Sequence, residues 1–202
     1  MNHPARPVPA HAHDLGEALA EAFRLLARGV ADRRSAFHAP TLATRGPDGA
    51  PRLRTVVLRG VDAPARTLRV HTDARAAKAA ELAADPRAAL HVYDAGAALQ
   101  VRVSGTATLH RLADGAPLAR AAWDASRPSS RATYAVAPAP GTPVEAPSPA
   151  PSDPDAGREH FAVVVLRAES LEWLWLWSGG HRRARFAFGP GGAVEEATWL
   201  VP

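Results

Sequence analysis

The chain has no cysteine among its 202 residues. Disulfides and thiolate metal sites are therefore excluded. No His-Glu-x-x-His or Gly-x-Ser-x-Gly stretch and no cluster of carboxylates occurs, which removes the common zinc-hydrolase and serine-hydrolase patterns. No run approaches the roughly 20 apolar residues of a membrane span. The polar stretch Met1 to His13, rich in Pro and His, lacks the apolar centre of a signal peptide. A soluble, cytoplasmic protein with a disordered N-terminus over 1–13 is the expectation. Lysine is nearly absent: the formal charge of +4 rests on arginine, and Lys78 is the only lysine. The arginines are interleaved with 20 acidic residues, so they form solvated surface and not a nucleic-acid stripe.

Hydrophobic residues make up 47% and charged residues 22%, an ordinary globular balance. Much of the apolar share is alanine, so the core must lean on Leu, Val, Phe and Trp. Asp14 with Glu17 fits a capping box. Leu15, Ala18, Leu19, Ala22, Phe23, Leu26 and Val30 follow at helical spacing. Strands are predicted at Thr41 to Arg45, Leu53 to Gly60 and Thr67 to His71, joined by short turns as an antiparallel meander. Thr72 and Asp73 offer N-caps to a helix ending near Ala84, before Asp85-Pro86. Ala88 to Tyr93 and Leu99 to His110 read as strands, the second with clean alternation and with Gly105 suited to a bulge. A helix is expected at Ala116 to Ala125. Residues 135–157 are dominated by Pro, Ala and Ser, a loop inside one domain spanning 14–202. Strands resume at Phe161 to Arg167, Leu171 to Trp177 and Arg183 to Phe188. Gly189 to Gly192 makes a turn, and a last strand falls at Thr198 to Val201. About eight strands with two or three helices suggest a mainly β protein, a small antiparallel barrel.

Three short stretches can carry chemistry. In Arg54-Thr55-Val56-Val57-Leu58-Arg59 the two arginines have opposite parity, so a straight strand sends them to opposite faces. In His71-Thr72-Asp73-Ala74-Arg75-Ala76-Ala77-Lys78 a strand runs into a helix whose free N–H groups suit a phosphate. Arg75 and Lys78 would share one helical face. In Leu99-Gln100-Val101-Arg102-Val103-Ser104-Gly105 the Gln100 amide can both donate and accept. Each stretch alone is equally well a strand or a capped helix with solvated side chains.

Together, in this order, they resemble the pyridoxamine 5'-phosphate oxidase family, the FMN-binding split barrels. The resemblance is good from Phe37 to Gly105 and looser from Leu171 to Pro202. It implies an antiparallel split β-barrel with flanking helices that works as a homodimer on FMN. Arg54 and Lys78 would neutralise the FMN phosphate, and Thr72 and Gln100 would also contact the cofactor, beside His71. Thr55, Val56 and Val57 would line the ring, with Arg59 toward the substrate. The family's serine and arginine before the lysine fall on Ala76 and Ala77, and Arg75 is the candidate to compensate.

The stretch Trp173 to Phe186 is similar to the family's C-terminal Trp-Gln-Gly…His-Arg-Leu-His-Asp-Arg-Phe motif. Arg185 matches its FMN-binding arginine, and Trp177 or Trp175 its tryptophan. The arginine that binds substrate falls on Arg182, and the second histidine on Ala184. Trp123-Asp124-Ala125-Ser126-Arg127-Pro128 is similar to a substrate-phosphate stretch, with Arg127 as ligand. The resemblance implies an FMN-dependent oxidoreductase acting on a small molecule. An FMN-binding protein without efficient turnover and a reductase using the deazaflavin F420 are the alternatives. No catalytic side chain and no metal site are assigned.

Overall fold

The computed structural model describes residues 8–202. Residues 1–7 of the expected disordered stretch lie outside the described residues. Residues 8–13 are folded: Ala10–Ala12 form a 3-10 turn with Ala12 buried. The His11 ring meets Trp173 and Trp175 edge-on at 5.6 and 5.4 Å. Two indoles offer that turn more contact area than solvent does, so it packs.

Helix α1 spans Leu15–Ala31. Asp14 caps it by accepting the Glu17 N–H at 2.8 Å. The reciprocal half of the capping box is not made, because the Asp14 N–H already bonds the Ala10 carbonyl. The buried face carries Leu19, Phe23, Leu25 and Leu26. Gly29 lets the helix touch the 3-10 turn Ala36–His38, since a Cβ there would strike the Phe37 backbone.

The strands are β1 (Thr41–Arg45), β2 (Pro51–Thr55), β3 (Leu58–Asp62), β4 (Thr67–Asp73), β5 (Arg87–Asp94), β6 (Leu99–Arg111), β7 (Phe161–Trp175), β8 (Arg182–Phe188) and β9 (Val194–Leu200). Helix α2 is Ala77–Ala84, α3 Pro117–Asp124 and α4 the single turn Pro128–Arg131. All nine strands belong to one sheet, ordered β2-β1-β5-β6-β7-β4-β3, with β8 and β9 branching from β7. Every pairing is antiparallel. The sheet curls into a barrel that is not closed.

Three expectations need correction. The predicted meander is absent: the run Leu53 to Gly60 breaks at Val56-Val57, and its halves go to opposite ends of the sheet, β2 beside β1 and β3 beside β4. Val56 turns inward and its N–H bonds the Pro40 carbonyl. The two strands predicted at 161–167 and 171–177 are one, β7, because the chain stays extended through Ala168 to Ser170. Finally, α2 begins at Ala77, not at Thr72. Thr72 and Asp73 finish β4, paired to Ala162 and Phe161.

The strand β7 is shared. Its first half, to Arg167, pairs β4, and from Ser170 onward the same edge pairs β8. The register on the β6 side shifts between Ser104 and Gly105 at this fork. Gly105 allows it: a Cβ there would fall on the Arg167 carbonyl oxygen. The main core lies inside the barrel and under α1, with Phe37, Leu58, Val103, Leu171, Trp173 and Phe186 sealed. A second core sits beneath α3, where Trp123 and Phe161 meet at 5.3 Å beside Val163 and Leu112. Residues 135–157 carry neither helix nor strand. No helix among the described residues is long and apolar enough to cross a membrane.

Gly105→Val should lower stability by about 1–3 kcal/mol through overpacking at the fork. The neighbouring exposed change Ser104→Ala should stay within about 0.5 kcal/mol. Denaturant melts of the two variants test this directly.

Candidate functional site

Arg54 leaves β2 on the core side, in register with Leu42, Leu90 and Val103. Its guanidinium donates to Glu81 Oε2 at 2.6 Å and to the Thr44 hydroxyl. Glu81, on α2, is buried and also accepts from Thr44 at 2.5 Å. A buried carboxylate needs such partners, since desolvation otherwise penalises its charge. Lys78 stands one turn earlier on α2, half-buried. Burial lowers its pKa, and the nearby Arg54 charge lowers it further. Among the described residues its ammonium makes no ion pair or hydrogen bond. Two cations and one carboxylate leave this corner positive.

The start of α2 points the same way. Its N-cap, Ala76, provides no side-chain bond to the first turn, so the first N–H groups stay available. Ala76 and Ala77 themselves add no donor. Thr72 is buried at the end of β4, its hydroxyl bonding the Asp73 carbonyl. Arg75 precedes the helix and does not share a face with Lys78. It is clamped to Asp73 at 2.8 Å and donates to the carbonyls of Tyr134, Val136 and Ala137. The Asp73 hydrogen bond raises its pKa, and the carbonyl bonds leave it fastening the loop.

A separate cavity of about 440 Å³ opens on the outer face of β3 and β4. Its floor carries Arg59, Arg69 and His71, one wall Arg33 and His38, and the other Arg127 with Ser126 and Ser130. Strand alternation places the floor residues opposite the buried Leu58, Leu68 and Val70. The parity of Arg69 and His71, two apart on β4, was the signal for Arg69. Arg33 and His38 had no sequence signal. They arrive through the contact of α1 with its following turn, where His38 Nδ1 donates to the Gly29 carbonyl at 2.7 Å. His71 meets the Phe161 ring at 4.9 Å. Burial, then the charges of Arg59 and Arg69, hold its pKa down at about 4. It is neutral near pH 7.

The remaining sequence-selected residues lie elsewhere. Gln100 bonds His91 at 3.1 Å on the outer side of β6. Arg185 pairs with Glu196 at 3.1 Å. Trp177 stacks on Trp175, planes 3° apart at 5.2 Å, with Arg182 over its ring. Thr55 is exposed, Val56 buried and Val57 half-buried. Gln100 pairs with Leu174 and Thr72 with Ala162. Those β7 positions are twelve residues apart, about 40 Å of extended strand. Within one chain, Thr72 is thus far along the sheet from Gln100, while Arg54, on the core side in register with Val103, lies on the opposite face from Gln100. Ala184, where the family has a histidine, is completely buried.

Residues 20–111 match the family model described as pyridoxamine 5'-phosphate oxidase, FMN-binding domain. Among solved structures, a pyridoxamine 5'-phosphate oxidase-related, FMN binding protein from Nostoc punctiforme PCC 73102 is 25% identical, with a TM-score of 0.74 over 91% of this chain and 96% of that one. PhzG from Burkholderia lata 383, solved with tetrahydrophenazine-1-carboxylic acid, shares the fold at 20% identity and a TM-score of 0.70, covering 98% of each chain. No curated protein matches. The fold is the split barrel, and the likeness to the pyridoxamine 5'-phosphate oxidase-related family rests on residues 20–111 and on these distant structural neighbours.

The His71 pKa makes a pH prediction. A histidine held neutral in the fold binds fewer protons than the unfolded chain, so its contribution is complete above about pH 6.5 and is lost as pH falls toward 4. The loss should reach up to about 3 kcal/mol. Thermal melts from pH 7 to 4 should fall less steeply for His71→Asn than for the parent protein.

Proposed function

We propose that this protein is a homodimeric FMN-dependent oxidoreductase acting on a small anionic molecule. The observation that carries the reading is the half-buried, unpaired Lys78 beside Arg54 at the uncapped start of α2. That donor set suits a phosphate monoester: two cations, free helix N–H groups and a net positive corner. Glu81 takes part of the Arg54 charge, so the grip is thinner than two free cations would give. When bound, FMN would supply hydride exchange, while the protein supplies orientation and electrostatics.

Gln100 and Arg185 belong to the same cofactor site only if a second copy brings them. One chain would give Arg54, Thr72 and Lys78, and its partner Gln100, Arg185 and an indole from the Trp175–Trp177 stack. The exposed Leu53 and Tyr93 provide apolar area for such a contact. Arg59 and Arg127 would orient the substrate from the floor and wall of the cavity, and neutral His71 would add a hydrogen-bonding ring nitrogen. Ala76 and Ala77, where donors are missing, favour a second reading: a protein that holds FMN without efficient turnover.

Purified protein should show the visible absorption of oxidised flavin. A deazaflavin spectrum, or a colourless protein that FMN does not reconstitute, contradicts the proposal. Arg54→Ala and Lys78→Ala should each weaken FMN binding by about 1.5–3 kcal/mol, the range for a charged hydrogen bond. Mixed dimers test the sharing. Chains with Lys78→Ala and chains with Arg185→Ala should, once mixed, regain one intact flavin site per dimer. Equal weakness of mixed and unmixed dimers would show that each chain builds its site alone.

A further inference from the structure

The cavity on β3 and β4 has an unusual charge inventory. Arg33, Arg59, Arg69 and Arg127 reach it from three directions: the end of α1, the sheet floor and the α3–α4 wall. No Asp or Glu lines it. Among the described residues, none of these four guanidiniums makes an ion pair or a side-chain hydrogen bond. Elsewhere, Arg52, Arg54, Arg102, Arg183 and Arg185 each have a carboxylate partner. The chain is therefore able to neutralise its arginines and does not do so here.

Four like charges around about 440 Å³ repel one another, and arginine cannot relieve this by losing its proton. A single carboxylate or phosphate accepts a bidentate pair from one guanidinium, or shares two. Its few oxygens serve arginines gathered on one side better than arginines spread over the floor and both walls of a cavity this size. His71 adds no charge, but its ring can donate to the same ligand.

We propose that the cavity recognises an organic anion with at least two separate acidic groups, such as a di- or tricarboxylate or a phosphorylated carboxylate. This narrows the substrate class and rests on the reading of the cavity as the substrate site. Arg59 and Arg127 hold one acidic group. Arg69 and Arg33, on the α1 side, hold the other.

Calorimetric titration of the purified protein at low salt, with benzoate and with benzene-1,3,5-tricarboxylate, tests this. The tricarboxylate should bind at least about 30-fold more tightly, since each added charged hydrogen bond is worth roughly a factor of ten or more. Arg69→Ala and the exposed-site change Arg33→Ala should each cut that preference about tenfold while benzoate affinity moves less than about threefold. Arg34→Ala, next along the chain but outside the cavity, should leave it intact. Affinities for the two anions within about threefold of each other would overturn the proposal. So would a preference that survives in both cavity variants, or one lost equally in Arg34→Ala. Flavin absorbance of the same samples is read separately. Its absence counts against the flavoprotein reading, whereas the two titrations judge the cavity alone.

Discussion

The length of β7 sets the distances on which the rest of the molecule depends. Fifteen extended residues pair with β6 along one edge, while the other edge passes from β4 to β8. That handover needs a register shift, and the shift needs a residue without a side chain, Gly105. Because the strand is never broken, its two ends cannot approach each other. The ends carry different chemistry: Thr72 and the approach to α2 beside β4, the Gln100 amide and the Trp175 ring at the β8 end. On the proposed reading, a barrel forked in this way would carry complementary halves of a cofactor site on one chain and rely on a second copy to join them.

The cation corner shows a balance of opposing terms. Removing Arg54 and Glu81 from water is costly, and their mutual bonds with Thr44 recover much of it. Among the described residues Lys78 has no such partner, and on the proposed reading its charge is the one left over for an incoming anion. The corner is preorganised by an internal salt bridge and made receptive by an unpaired lysine. The outer cavity works differently. Its arginines are more exposed, so the solvent bears much of their mutual repulsion until a ligand replaces it.

Much of the fold was legible in the sequence because its patterns are local. The alternation of Leu99 to Val103, the helical spacing of Leu15 to Val30 and the turn at Gly189 to Gly192 all reach the expected elements. What misled was pairing. Leu53 to Gly60 reads as one strand because its β-branched residues are continuous, yet two different neighbours, β1 and β4, pull its halves to opposite ends of the sheet.

 The residue parity that separated Arg54 from Arg59 was sound, but only the break at Val56-Val57 shows why they end in different places. Arg75 illustrates the other limit. Its spacing from Lys78 suggested a shared helical face, and the helix starts too late for that. Glu81 and Thr44 were invisible as partners of Arg54, because they come from separate elements that only the tertiary fold brings together.

The Arg75 clamp has a consequence for the proline-rich segment that follows α4. Arg75 reads main-chain oxygens at three positions, Tyr134, Val136 and Ala137, and ignores the side chains there. An anchor of this kind is blind to residue identity. It fixes where the segment departs from the barrel while leaving its composition free to drift toward alanine, serine and proline. The clamp itself asks only that the backbone present its carbonyls at the right spacing, while Tyr134 is held besides by its ring against Trp123 and Phe161. A low-complexity insert of this sort is compatible with an ordered site nearby because its root, and not its content, is held.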